Sequence, residues 1–474
     1  MSEILDVNIP DAGPRVYGTG WAAWIAEARE LLKLAGPLVA TQLALMAIMT
    51  TDIVMLGRLG KESLAGAALG NTVFFFTWLI GLGPTAAISP MIAHILGARP
   101  NDRADVRRVA RMGLWSVIAL SLPLSAILLC TKYVLLGLGQ QPELAQAASR
   151  FVQPLCIGLP FSLGFQALRN YATALGKPNT SLWVVAAAIL FNFIGDYALI
   201  FGHLGMPKLG LVGSGIASAC SYAFCFLAMT AVVFVTPALH RIRIFHHFAR
   251  PHWDTFAELF RLGMPIGLTM IFEAMLFNAA TLLMGTFGTA TVAAHQIAIN
   301  VASITFMVPL GIAMAATVRV GLAAGAGDQR GVRRAGFCAI GTAAAFMSVS
   351  GLLIACFPQH IAHLYFSAHN QGNADAIALA AVFLQIAAAF QIVDGIQVTA
   401  ALSLRGLKDA QMPMWIAGAA YWLAGFPVCI GLGIGLGMRG VGVWIGLAFA
   451  LLVAAISMCW RFIRLSRELV PAQG

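Results

Sequence analysis

LGMPIGLTMIFEAMLFNAATLLMG, residues 262–285, carries one charged side chain, Glu273, in twenty-four positions. A helix needs about 20 such residues to cross the hydrocarbon core of a bilayer. Lipid offers no hydrogen bonds to the backbone, so the segment must satisfy its own N–H and C=O groups as a helix. A carboxylate at that depth is costly. It persists where it faces a protein-lined cavity and handles a proton, an ion or a cationic ligand.

The stretch is one of a series. Leu262-Gly-Met-Pro265 repeats Leu34-Ala-Gly-Pro37, 228 residues earlier. Gly97-Ala98 before Val106-Arg-Arg repeats as Gly325-Ala326 before Val332-Arg-Arg, and Gly210-Leu-Val-Gly213-Ser-Gly215 as Gly437-Met-Arg-Gly440-Val-Gly442, at offsets between 226 and 228. The chain is an internal duplication. About twelve apolar stretches of spanning length fall near 31–57, 65–96, 108–131, 148–172, 180–202 and 210–236, then near 259–287, 290–322, 334–357, 377–404, 411–436 and 440–462. The fold expected is an all-α membrane protein, with twelve transmembrane helices in two pseudo-symmetric six-helix bundles. An even span count per repeat relates the halves by an axis along the membrane normal. The expected organisation is a cytoplasmic N-terminal segment (1–30), an N-lobe (31–236), a cytoplasmic linker (237–258), a C-lobe (259–462) and a cytoplasmic tail (463–474). The linker, opening PALHRIRIFHHFARPHWD, reads as a tether with a surface-lying helical part.

Composition agrees: 59% hydrophobic and 10% charged over 474 residues, with mean hydropathy +0.84, against roughly 25% charged in soluble domains. The net charge of +10 is a matter of topology rather than a nucleic-acid footprint. With the N-terminus inside, one side of the membrane collects 23 basic residues, among them Arg99, Arg103, Arg169, Arg241, Arg319 and Arg405, and the other side six. The positive-inside rule therefore puts both termini in the cytoplasm. Residues 1–28 lack the basic start and apolar core of a signal peptide. The eight cysteines form no CxxC pair and read as small hydrophobes. No GxxxxGK[ST], HExxH or GxSxG occurs, so the expectation is a secondary carrier with no cofactor, not an enzyme.

Three more carboxylates share the predicament of Glu273: Asp52, Asp196 and Asp394. Asp52 and Asp196 each lie about five residues from the outer end of spans 1 and 5, ~8 Å deep at 1.5 Å per residue, and so share a depth. Asn192 precedes Asp196 by four residues and faces the same way. Ser218 on span 6 adds a hydroxyl. Together Asp52, Asn192, Asp196 and Ser218 are a candidate cation-coupling site, whose oxygens suit Na⁺ at Asp52, Asn192 and Asp196. Glu273 and Asp394 lie nearer mid-depth in the second half and are equally candidate cation-binding and coupling residues, so either lobe could hold the coupling site. Pro37 and Pro265 each remove a helical hydrogen bond near the start of spans 1 and 7, making either a tolerated kink or a flexing point. His295 and Gln296 near the outer end of span 8 read as interfacial or as a proton relay. Trp78, Trp183, Trp415 and Trp422 read as interface-belt residues.

The order and spacing of several segments resemble the MATE (multidrug and toxic compound extrusion) transporters, especially their NorM-type branch. They are TTDIVMLGRLG (50–60), FGHLGMPKLGLVGSGIA (201–217), LGMPIGLTMIFEAMLFN (262–278), AAHQIAINVASITFMVPLGIAMAATVRVG (293–321), and FQIVDGIQV (390–398) followed by LRGLKD (404–409). The resemblance runs from about residue 31 to 460. It implies a two-lobed antiporter of the bacterial inner membrane that expels small cationic or amphipathic drugs in exchange for Na⁺ or H⁺. By motif position, Asp52 matches the family's first-span acid, Glu273 and Asp394 its C-lobe acids, and Asn192 its span-5 asparagine. Asp196 departs from the NorM-type pattern and resembles the branch with an N-lobe carboxylate pair. Membrane lipids, no nucleic acid and a monomer complete the expected partners. A major-facilitator-type carrier, a lipid-precursor flippase and a non-transporting membrane receptor are the competing readings. The four acids oppose a flippase of anionic lipids.

Overall fold

The computed structural model describes residues 20–365 and 374–468. Residues 1–19 of the expected N-terminal segment and 469–474 of the expected tail lie outside them. Among the described residues twelve helices are long and apolar enough to cross a membrane. Spans 1–6 are Trp21–Gly57, Lys61–Ala98, Arg103–Leu129, Pro142–Ala174, Asn179–Phe201 and Leu211–Val235. Spans 7–10 are Trp253–Gly285, Thr289–Gly325, Gln329–Cys356 and Ala374–Gly406. Span 11 runs over Gln411–Gly435 and span 12 over Arg439–Glu468. Short helices Thr131–Gly137 and Pro358–Tyr365 follow spans 3 and 9.

The repeat explains how matching helices begin. Asp102 caps span 3 by accepting the Asp105 N–H at 3.1 Å, and Asp328 caps span 9 by accepting that of Gly331 at 2.8 Å. A carboxylate there serves backbone donors that have no partner inside the helix. The Asp105 N–H, with Arg99 nearby, holds the Asp102 carboxyl below its ordinary range. Spans 2 and 8 both start from a glycine with positive φ, Gly60 at 117° and Gly288 at 106°. A side chain is strained in that conformation.

Span 1 starts ten residues before its expected position. Ala23, Glu27, Leu31, Leu34 and Leu38 are all buried, a helical stripe that carries the span back to Trp21. Span 11 is not uniform: π-helical stretches Ala419–Gly425 and Gly431–Gly435 flank Phe426–Ile430. Pro427 cannot donate to the helical ladder, and the widened turns lie on either side of it.

Two compact units divide the chain. One contains Ala40–Leu268; the other contains the described parts of Pro14–Val39 and Thr269–Gly474. The division falls inside spans 1 and 7, not at the lobe boundaries expected from sequence. Backbone contact within each unit accounts for this. In the first, a Cβ on Gly83 of span 2 would meet Gly267 N at 3.0 Å and collide with the Gly263 carbonyl. In the second, a Cβ on Gly311 of span 8 would lie 2.7 Å from Val39 N. The two crossings are related by the 228-residue repeat, and each sits two residues past a proline, Pro265 or Pro37. Lipid is as apolar as leucine, so such close approaches of small residues, more than hydrophobic burial, hold membrane helices together. The second unit buries Trp444, Phe383, Phe390 and Phe462 completely or nearly so.

The linker is pinned down rather than loose. Tyr171 Oη donates to the Leu239 carbonyl at 2.9 Å, Arg111 Nη1 to that of His247 at 3.0 Å, and Trp115 Nε1 to that of Phe248 at 2.8 Å. Spans 3 and 4 thus hold it at three points.

Candidate functional site

Within the first unit, the structure brings Asp52, Asn192, Asp196 and Ser218 together. Ser218 Oγ donates to Asp52 Oδ2 at 3.4 Å, and the Asp52 carboxylate also lies against the side chains of Asp196 and Asn192. Asn192 and Asp196 are fully buried and Ser218 nearly so, while Asp52 is half-buried. Spans 5 and 6 pack against each other here, a Cβ on Gly195 lying in ordinary contact 3.5 Å from that of Ala217, next to Ser218. Asp52 Oδ1, both Asp196 oxygens and both polar atoms of the Asn192 amide are buried without a hydrogen-bond partner among the described residues. Buried polar atoms normally find partners. A cluster of orphaned oxygens with two carboxylates fits a small hard cation, which takes oxygen ligands, or a proton shared between the acids. No cationic side chain stands among the groups acting on Asp52 or Asp196.

Tyr222 lies within electrostatic reach of this cluster. It feels the Asp52 charge, and its ring stacks on Phe74 at 5.9 Å with 5° between the planes. It lies one helical turn beyond Ser218, a spacing from which it was legible in the sequence.

Within the second unit, Glu273 is half-buried and Asp394 buried, and the two lie within electrostatic reach of each other. Arg405 and Tyr421 share that reach. Arg405, counted from sequence among loop bases, is a buried residue in the last turn of span 10. Arg169 and Arg319 are likewise inside spans 4 and 8. Arg169 is buried and donates to Gln42 Oε1 at 2.6 Å. Arg319 forms a two-pronged pair with Glu27, Nε to Oε1 at 2.8 Å and Nη2 to Oε2 at 2.7 Å. Tyr421, in the first π-helical stretch, buries its hydroxyl without a hydrogen-bond partner among the described residues, as Asp394 does its Oδ1. The two acid pairs therefore differ. The second has a protein cation close by, and the first has none among the described residues.

Other candidates are placed differently from their sequence reading. His295, in the second turn of span 8, is turned into protein: it is fully buried, its Nε2 lies 3.1 Å from Thr281 Oγ1, and its ring meets Trp444 edge-on at 5.6 Å. Gln296 is exposed, on a different face of span 8. Trp78 is no simple belt residue, since its Nε1 donates to Ser162 Oγ at 2.9 Å. Trp183 and Trp415 are exposed.

Known proteins show the same architecture. The family model described as MatE matches residues 37–198 and 265–430, segments that begin at Pro37 and Pro265. A "Probable multidrug resistance protein NorM" of Mesorhizobium japonicum is 42% identical over 462 residues, covering 97% of this chain and 98% of that protein. The protein of the same name from Rhizobium meliloti is 40% identical, covering 95% and 96%. Among solved structures, the eukaryotic MATE transporter AtDTX14 superposes with a TM-score of 0.81 at 21% identity, covering 94% of this chain and 99% of that one. A MATE in the straight conformation superposes with a TM-score of 0.83 at 19% identity, covering 94% and 97%.

Proposed function

The chain belongs to the MatE family of membrane transporters, and on that footing we propose that it is a multidrug efflux antiporter. It exports small cationic or amphipathic drugs in exchange for H⁺ or Na⁺ by alternating access. The observation that carries this reading is the buried cluster of Asp52, Asn192, Asp196 and Ser218, rich in oxygens that have no hydrogen-bond partner, and without a protein cation, among the described residues. Two ionised carboxylates side by side in a low-dielectric interior repel strongly. The cluster is therefore the place where an entering H⁺ or Na⁺ gains most. Neutralised, it no longer attracts a cationic drug, and the drug leaves; the ion's departure restores the attraction. The Glu273–Asp394 pair is partly answered by Arg405, so the first pair is assigned the coupling ion. The gradient is sufficient in size: one charge moving through 100 mV yields about 2.3 kcal/mol. The distribution of basic residues supports an inner-membrane protein with cytoplasmic termini.

The test is efflux of a fluorescent organic cation from proteoliposomes under imposed pH or Na⁺ gradients, together with ²²Na⁺ uptake driven by drug efflux. Asp52→Asn and Asp196→Asn should each abolish gradient-driven efflux at equal protein level. Wild-type rates in both variants would refute the assignment. Absence of ²²Na⁺ flux with intact pH-driven efflux would assign the proton.

A further inference from the structure

The last turn of span 6 and the linker line an open cavity of about 390 Å³ whose lining, among the described residues, holds no carboxylate. Its wall includes Phe234, Leu239 and Phe245, and its rim carries His240, Arg243 and His246. Phe234 stacks on Phe245 at 5.3 Å, and His240 lies 6.2 Å from the Phe234 ring. Phe234, at the end of its membrane span, is exposed, and Arg243 and His246 are exposed beside it. The cavity is therefore an apolar slot at the membrane boundary with a cationic lip.

The surroundings are of one sign. Arg241, Arg243 and Arg250 are exposed, and among the described residues none pairs with a carboxylate. His246, followed by Arg250, Arg107 and Arg111, lowers the proton affinity of His247, which reports the accumulated positive charge. The backbone is bent to this end: Arg243 and His247 hold φ of 51° and 55°, left-handed values that non-glycine residues seldom adopt. Strain of this kind persists where the surrounding structure fixes it, and here the hydrogen bonds from Arg111, Trp115 and Tyr171 do so.

We infer that this cavity binds one anionic phospholipid of the leaflet at this end of span 6. The headgroup phosphodiester sits at Arg243 on the cavity lip, with Arg241 a further exposed base of the same linker outside the lining, and the upper part of an acyl chain lies against Phe234 and Phe245. Arginine donates in a fork that matches a phosphate. Basic pockets at helix ends are where membrane proteins select acidic lipids. The linker joins the two repeats, so the bound lipid is a further tie between the linker and span 6. The inference needs only the membrane-embedded fold and stands apart from drug–ion exchange.

Native mass spectrometry of the full chain tests it, after equilibration in detergent with dioleoyl phosphatidylglycerol, dioleoyl phosphatidylcholine or inorganic phosphate. One phosphatidylglycerol should survive activation that strips phosphatidylcholine. The double variant Arg241→Gln/Arg243→Gln should lower the retained fraction at least five-fold. Arg243→Lys, which keeps the charge and loses the fork, should retain more lipid than the double variant and less than the wild type. Arg103→Gln, which removes an exposed base at the start of span 3, should leave retention unchanged. Equal retention of the two lipids would overturn the proposal, as would equal loss in the Arg103 variant. Complete displacement of the lipid by inorganic phosphate would overturn it too, because the acyl wall would then contribute nothing.

Discussion

Glu27 and Arg319 offer the sharpest test of how span 1 is held. The carboxylate and guanidinium meet in two parallel hydrogen bonds of 2.8 and 2.7 Å, with side-chain exposures of 3% for Glu27 and 15% for Arg319. Opposite charges ~4 Å apart attract by about 4 kcal/mol at an effective dielectric constant of 20. Removing one partner of a buried pair costs about 3–5 kcal/mol, because the other charge stays desolvated. The partial exposure of Arg319 favours the lower end. Glu27→Gln should therefore destabilise by about 3 kcal/mol, roughly a hundredfold in the folded-to-unfolded ratio. The assay is reversible unfolding by SDS in mixed micelles, on Glu27→Gln, Arg319→Gln and the double variant. The double variant should fall short of the sum of the singles by at least about 1.5 kcal/mol, since its two lost partners served each other. Additivity within about 0.5 kcal/mol would show that the pair carries no coupling and does not hold span 1.

Three further outcomes follow from the geometry. Gly83→Ala and Gly311→Ala push a methyl group into neighbouring backbone, which cannot rotate aside. Each should cost about 1–3 kcal/mol in the same unfolding assay, whereas Gly341→Ala, with open space around it, should be neutral or slightly stabilising. Tyr222→Phe keeps the stack on Phe74 and removes the hydroxyl near Asp52, so it should preserve stability while changing the ion dependence of efflux; an unchanged ion dependence would remove Tyr222 from the site. The Asp102 carboxyl titrates lower folded than unfolded, so its cap contributes fully above the ordinary carboxylate pKa of about 3.9 and is lost only as pH falls through the lower folded value. Asp102→Ala should accordingly cost about 1 kcal/mol at pH 7 and progressively less below pH 4, a difference readable from unfolding at the two pH values.

Much of the site was legible before any coordinates, for a simple reason. A carboxylate inside an apolar span stands out against its background, and helical periodicity places its neighbours. Asn192 and Asp196 share a face because four residues separate them, and Asp52 meets them because it lies at the same depth. Tyr222 was available by the same rule. The basic residues misled because charge near a span end is ambiguous in one dimension. Arg169, Arg319 and Arg405 keep the topology count unaltered wherever they point, yet each is turned into protein.

By itself the sequence determined the twelve apolar helices, their duplication and the intramembrane acids, because crossing lipid constrains length, polarity and backbone pairing locally. The tertiary structure alone decided which charges meet. Glu27 and Arg319 are 292 positions apart in the chain, and Arg405 reaches Glu273 from another span. Only the crossings at Gly83 and Gly311 reveal where spans 1 and 7 change their packing partners. Such pairings depend on how helices approach one another through residues too small to announce themselves in a hydropathy pattern.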